Sequence, residues 1–307
     1  MPRVAARVSP ETRAFFILEE FPKIAETMVH MVILDGKQLQ QKLMEGMKTS
    51  YSKLPYSTHL GIVVVGDNAA SELFIKKKIA FGKRIGVQVH VYREAGDIST
   101  VELCKVVVRV ATDTAVQGMV VQLPLPEHID TKEVLNSIPQ EKDVDMLSAS
   151  AIKYYTQGGS VIAPPVIGAI EAFIKEYQLD VNKKHLVIIG EGKLVGRPAV
   201  LWAEKNNQEF TIIPEETKKL SEIVMTGDII ISGVGKANMI TGDMVKDGVI
   251  IFDAGISTGE SKGVTGDIDF DSVSKKASFI TPVPGGIGPV TVAIIFQNLL
   301  KLIAQRQ

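Results

Sequence analysis

The sequence predicts an α/β fold in two domains, each a parallel sheet covered by helices. Three observations carry the prediction. Short apolar runs alternate with helix-patterned segments from residue 31 onward, the order that parallel βαβ units require. The runs are continuous rather than alternating, as in strands buried on both faces. The chain has 307 residues, beyond the length at which one core is the usual solution.

The elements follow in order. Residues 60–66, LGIVVVG, read as a buried strand that stops at Gly66-Asp67-Asn68. Residues 69–85 read as a helix ended by Gly86. A strand at 87–92 and a helix at 101–111 come next. A third strand, 118–122, stops at Leu123-Pro124-Leu125-Pro126, because proline has no N–H for a ladder. At 154–160 the composition changes to YYTQGGS, the expected domain boundary, and 166–177 reads as a connecting helix. The second series has a strand at 185–190, a helix at 194–205, strands at 209–213, 228–234, 249–256 and 279–283, and a last helix at 289–304. Ligands of such sheets bind beyond the carboxyl ends of the strands, so one cleft between the domains is expected to hold the site.

The formal net charge of −1 removes the broad electrostatic reason to expect a nucleic acid or a membrane surface as partner. The single cysteine, Cys104, rules out an internal disulfide framework and points to a reducing, cytoplasmic setting. His30, His59, His90, His128 and His185 are not at metal-ligand spacing, so no metal site is expected. In residues 1–30, Arg3, Arg7 and Arg13 resemble a targeting peptide, but Glu11, Glu19 and Glu20 and the missing apolar core oppose that. Ser9-Pro10 opens a capped helix. The segment reads as an extension outside the main fold, or as chain upstream of a start near Met28 or Met31.

The strongest local motif is the turn between strand 185–190 and the next helix. Gly190-Glu191-Gly192, with Val195-Gly196-Arg197-Pro198 following, places glycines where a backbone must approach a pyrophosphate. The spacing is G-x-G-x-x-x-G, which alone reads equally as a plain strand–helix turn; the strand–turn–helix context favours a dinucleotide loop. The ends of later strands, Gly233-Val234-Gly235 and Ile256, complete the cofactor-binding candidates. After strand 209–213 comes Glu215, placed to accept from adenosine ribose hydroxyls. A 2′-phosphate there would face Glu215 and Glu191 at a cost of about 1–4 kcal/mol per close contact. NAD is therefore favoured over NADP, by roughly tenfold per contact. The plainer reading of Glu215 and Glu216 is the solvated start of a helix.

Several segments resemble one family. VVVGDNAAS (63–71), FIKKK (74–78), GMVVQLPLP (118–126), EKDVDM (141–146), IIGEGKLVGRP (188–198) and TPVPGGIGPVTVA (281–293) occur in the order and spacing of the bifunctional methylenetetrahydrofolate dehydrogenase/methenyltetrahydrofolate cyclohydrolases. The resemblance covers nearly everything from Met31 and leaves residues 1–30 without a counterpart. It implies an N-terminal α/β folate-binding domain, residues 31–153 with 286–307, and a Rossmann-type domain, 154–285. It also implies a tetrahydrofolate substrate, NAD or NADP as cofactor, and a homodimer formed through the Rossmann domains.

Phe74 and Lys78 are four apart on a predicted helix and share a face, a pairing suited to a flat, partly anionic heterocycle. Alone, Lys76, Lys77 and Lys78 read as a solvated basic face; the resemblance singles out Lys78 as the catalytic lysine. Phe74 stands where the family has tyrosine, so stacking survives but a hydroxyl is lost, which weighs on the cyclohydrolase step. Gln122 ends a buried strand, where its amide can orient the lysine or simply satisfy the strand end. Asp145 matches the family's pterin-binding carboxylate, a group able to accept two N–H bonds; without the resemblance it reads equally as a cap or surface acid. Met146 replaces the small residue usual after it. Pro284-Gly285-Gly286-Ile287-Gly288-Pro289 cannot be regular structure and reads as backbone approaching the folate, or as a plain loop. Ala163-Pro164-Pro165-Val166 departs from the family's run there. Gly255-Ile256-Ser257-Thr258-Gly259 fits the pattern of a nucleophile elbow, but the polar turn after it is no helix.

The implied activity is oxidation of 5,10-methylenetetrahydrofolate followed by hydrolysis to the 10-formyl compound. The alternatives are an NAD-dependent dehydrogenase weak in hydrolysis, a silent folate- or nucleotide-binding relative, and a dehydrogenase of another small substrate. The last leaves QLPLP and KDVD without a reason.

Overall fold

The computed structural model describes residues 31–214, 216–259 and 263–306. The helix expected after Ser9, and Glu215, lie outside them.

The chain opens with β1 (Val32–Ile33) and α1 (Gly36–Tyr51), whose N-terminus is capped by the Asp35 carboxylate. β2 (Thr58–Val65), α2 (Ala69–Ile85), β3 (Val87–Glu94), α3 (Thr100–Thr112) and β4 (Gly118–Val121) follow. These strands form a three-stranded parallel sheet in the order β3-β2-β4. Central β2 is buried along nearly its whole length, as its apolar run requires. α2 starts where Asn68 caps the Ser71 N–H and ends at Gly86 in the left-handed region, φ 81°. α3 carries a capping box made by Ser99 and Glu102. α4 (Thr131–Asn136), α5 (Ala149–Thr156) and α6 (Pro165–Glu176) lead into the second domain.

There, β5 (Leu186–Ile189), α7 (Gly196–Lys205), β6 (Phe210–Ile213), α8 (Leu220–Val224), β7 (Ile229–Ser232) and β8 (Ile250–Asp253) alternate. A small antiparallel hairpin, β9 (Ser257–Gly259) and β10 (Gly263–Thr265), precedes α9 (Phe270–Val273), β11 (Phe279–Ile280) and α10 (Ile287–Gln305). The large sheet is parallel throughout, in the order β1-β11-β8-β7-β5-β6. The order reverses at β5, with β6 on one side and β7 on the other, so the turn after β5 lies at a topological switch point.

Three differences from the sequence reading concern boundaries. β1, expected with the first domain, pairs Val32 with Phe279 and Ile33 with Ile280 in the second sheet. A two-residue strand has no periodicity that could reveal this. The strand expected to reach 256 ends at Asp253, whose carboxylate accepts from the turn beyond it. The strand expected over 279–283 pairs only at Phe279 and Ile280. The last helix belongs to both cores. Ile287, Val290 and Ile294 pack with α6 and the large sheet, while Phe296, Leu299 and Ile303 pack with β2 and α2. By length and composition α10 could cross a membrane, yet most of it is buried in these two cores.

Candidate active site

The two domains enclose a cleft of about 540 Å³. Its first wall comes from α2, β4 and the segment after β4. Phe74 and Lys78, one helical turn apart, both face it. Lys78 is buried, with 6% of its surface exposed, and Gln122 is buried at 8%. The Lys78 Nζ donates to Gln122 Oε1 at 2.7 Å. The Gln122 amide is itself fixed, because its Nε2 donates to the Leu123 carbonyl at 2.8 Å and its backbone N–H to Val63 at 2.8 Å. Gln122 therefore offers the lysine an oriented oxygen rather than a free rotor.

Asp145 completes this wall. Burial pushes its carboxyl up to about 6, against the pull of the Lys78 ammonium, and nearby Asp143 adds to the rise. Burial likewise lowers the Lys78 pKa, with the Asp145 charge opposing. Among the described residues no donor bonds the Asp145 side chain, so it stands open to a ligand. Its backbone is fixed from two sides. Asp143, fully buried, accepts from the Leu147 and Ser148 N–H groups at 3.0 and 2.8 Å. Asn298 of α10 donates to the Val144 carbonyl at 2.9 Å. Met146 sits in the left-handed region at φ 54° with its side chain buried. This is the conformation a glycine would adopt freely and other residues only at a cost of about 1–2 kcal/mol.

Pro284, Gly285 and Gly286, between β11 and α10, and Ile287, Gly288 and Pro289, in the first turn of α10, form the floor. The run expected to hold no regular structure is helical from Ile287, since a proline in the first turn needs no N–H partner. They lie hard against α1: a Cβ on Gly36 would sit 1.8 Å from the Gly286 carbonyl oxygen. The Leu123–Pro124 and Val283–Pro284 peptide bonds are cis. Pro164, Pro165 and Val166 also line the cleft, so the departure at 163–166 lies within the site.

The opposite wall is the glycine turn. Gly190 has φ 91°, and a Cβ on Gly196 would lie 1.9 Å from the Gly190 carbonyl oxygen. That contact closes the turn onto the start of α7. The Val195 cap makes no side-chain hydrogen bond, and nothing lies within 4 Å of a Cβ on Gly192. The Arg197 N–H donates to the Gly192 carbonyl at 3.1 Å and Pro198 has no N–H, so among the described residues of this first turn the Gly196 amide, beside the open space at Gly192, is the one left for a phosphate. Val195, Pro198 and Ile256 line the cleft itself. Gly190, Glu191, Gly192, Gly196 and Arg197 form the turn behind that lining, and Gly233, Val234 and Gly235 the neighbouring loop after β7. Glu191 is exposed.

Sequence reasoning missed Asp253, which ends β8 in the cleft. Burial, and secondarily the adjacent Asp267, raise its pKa to about 7. An acid closing a buried parallel strand was the available signal. It also missed Asp143 and Asn298, which support the site from behind. Among the described residues no cluster of side chains could hold a metal ion.

A glycine turn at a sheet's switch point faces a buried lysine and amide and a half-buried carboxylate across an interdomain cleft, the arrangement of an α/β enzyme that binds its ligands between two domains. Residues 34–145 match the family model of the tetrahydrofolate dehydrogenase/cyclohydrolase catalytic domain, and residues 164–307 that of its NAD(P)-binding domain. The chain is 38% identical to the bifunctional protein FolD of Nautilia profundicola over 277 residues, covering 88% of this chain and 96% of the relative. The crystal structure of the bifunctional FolD of Campylobacter jejuni superposes with a TM-score of 0.86 at 36% identity, over 90% of this chain and all of that one. The Trypanosoma brucei FolD, solved with NADP and an inhibitor, has a TM-score of 0.83 at 26% identity, over 90% and 98% of the two chains. The chain belongs to the tetrahydrofolate dehydrogenase/cyclohydrolase family.

Proposed function

We propose that one cleft carries both reactions of the family, with Lys78, Gln122 and Asp145 on the folate side and the 190–198 turn on the nucleotide side. The enzyme oxidises 5,10-methylenetetrahydrofolate to the 5,10-methenyl cation and hydrolyses that cation to 10-formyltetrahydrofolate. The 190–198 turn would hold the nicotinamide nucleotide, which when bound would supply the acceptor for the hydride leaving the methylene carbon. The nitrogens flanking that carbon stabilise the cation, so the protein's part in this step is positioning. Asp145 accepts from the amino-pyrimidinone edge of the pterin, and Phe74 covers a ring face. In the hydrolytic step water adds to the methenyl carbon, and the carbinolamine so formed opens by breaking its bond to N5, which takes up a proton and leaves the formyl group on N10. Lys78, which burial biases toward the neutral amine, takes the proton of the attacking water. Gln122 Oε1 stabilises the ammonium that forms. The observation that carries this reading is the buried 2.7 Å Lys78–Gln122 contact beside a carboxylate left open to the cleft.

The preference is for NAD, supported by acidic Glu191 in the turn and Glu215 beyond β6, each unfavourable to a 2′-phosphate. β6, at one edge of the large sheet, offers a face for pairing with a second copy, in line with a homodimer formed through the Rossmann domains. The place of action is the cytoplasm. The test is nucleotide reduction on methylenetetrahydrofolate with NAD and NADP in parallel, and methenyl hydrolysis without nucleotide. Turnover in both assays with kcat/KM higher for NAD is expected. Hydrolysis without reduction, or an NADP preference, would overturn the corresponding part.

A further inference from the structure

Asp267 lies two residues past β10 and is fully buried. Its two oxygens accept four hydrogen bonds from one loop. Oδ2 takes the Ser232 hydroxyl and the Val234 N–H, both at 2.7 Å. Oδ1 takes the Gly235 and Lys236 N–H groups at 2.8 and 2.9 Å. Three successive backbone amides after β7 thus converge on a carboxylate of the protein itself. Such a concavity of N–H groups would otherwise be an anion site.

Asp253 holds Asp267 in turn. It accepts from the Gly255, Asp267 and Ile268 N–H groups at 2.9, 3.2 and 3.1 Å. The spacing leaves no slack: a Cβ on Gly266 would lie 2.0 Å from Asp253 Oδ2, and one on Gly255 would lie 2.1 Å from Asp267 Oδ1. The clamped loop then packs on the dinucleotide turn. A Cβ on Gly233 would meet the Val195 side chain at 2.4 Å, and one on Gly190 would meet Val234 at 3.2 Å. One on Gly235 would approach the Ile256 carbonyl at 3.2 Å. Val195 and Ile256 line the cleft from its two loops, with Asp253 and Gly255 beside Ile256.

We infer that Asp267 is a positioning residue for the nicotinamide nucleotide: by filling the amide concavity of residues 234–236 it fixes the gap between Val195 and Ile256 and leaves the turn at 190–197 as the phosphate site. The inference rests on the reading above that the nucleotide lies across these two loops. Asp267 touches neither substrate, and it acts through the loop it holds. Without the carboxylate the amides face each other's dipoles unpaired, and the loop must reopen or recruit an anion.

The test uses the full chain with Asp267→Asn and the milder Ser232→Ala, which removes one of the four bonds. Nucleotide reduction and nucleotide-free methenyl hydrolysis are measured side by side. For Asp267→Asn, KM for the nucleotide rises about tenfold or more, while kcat falls less than KM rises. Ser232→Ala raises the same KM by a few-fold. Hydrolysis in both variants stays within about twofold of wild type, because that step uses no nucleotide. Equal losses in both reactions would overturn the inference, as would an unchanged nucleotide KM in Ser232→Ala. If the wild type hydrolyses but reduces neither NAD nor NADP, the underlying reading fails before any variant is made.

Discussion

Replacing Gln122 by methionine keeps the length of the side chain and removes the oxygen that faces Lys78. In the wild type that oxygen accepts from Nζ at 2.7 Å, and both groups are more than nine-tenths buried. Water cannot readily replace the lost partner there. A hydrogen bond to a charged group is worth about 1.5–3 kcal/mol. Its loss falls on the state in which Lys78 carries the extra proton, which is the transition state of hydrolysis. The hydrolytic kcat should drop roughly 10- to 150-fold. The same loss makes Lys78 a weaker base, so the limb of the pH–rate profile that it governs moves to lower pH, in the direction burial already drives it. Hydride transfer needs no proton from Lys78 and should fall far less. The assay is methenyl hydrolysis and nucleotide reduction on one preparation, each followed across neutral pH. An unmoved limb, or equal losses in the two activities, would refute the reasoning.

Three further outcomes follow. In Asp145→Asn the folate KM rises about tenfold or more, since the amide replaces one of the two acceptor oxygens by an NH2 donor that meets a donor on the pterin edge; in the wild type the folate KM rises as pH falls through about 6, where the carboxylate protonates. The fold raises this pKa from 3.8 to about 6, so the group's contribution to stability is present when it is protonated and is lost as pH rises through that window. The loss is on the order of 3 kcal/mol; urea titrations of wild type and Asp145→Asn between those limits should differ in slope. Gly196→Ala places a methyl 1.9 Å from the Gly190 carbonyl oxygen, backbone against backbone, so nucleotide KM rises sharply and stability drops by about 1–3 kcal/mol, both read from kinetics and denaturation on the same sample. Phe74→Tyr supplies the hydroxyl found in similar enzymes and should raise hydrolysis severalfold with little change in reduction; a fall in hydrolysis would contradict the placement of Phe74 beside the lysine.

The fold was legible where burial is written in runs. The continuous apolar stretches of β2, β4, β5 and β7 can only be strands covered on both faces, and Asn68 and Gly86 mark the ends of α2 through capping chemistry. β1 was illegible because its two residues pair with β11 across nearly the whole chain, and no local pattern encodes such a partner. α10 reads as one helix, yet its two ends serve different cores, which only the tertiary arrangement decides. Of the site, Lys78, Gln122 and Asp145 all line one cleft; Lys78 and Asp145 were singled out by the resemblance alone, and Gln122 also by its place at a strand end. Asp253 and Asp267 were not: each is a single acid after an apolar or polar run, and its role depends on backbone amides brought from another loop. Asp143 was quoted within its motif without a role, and the structure makes it the support of the turn that presents Asp145.

Both reactions should part company at one side chain. Measured on a single preparation of Lys78→Ala, methenyl hydrolysis should fall by about 10²–10⁴, the usual worth of a general base, while nucleotide reduction stays within about tenfold of wild type. A variant that hydrolyses the methenyl substrate at the full rate would contradict the placement of this lysine at the reacting carbon.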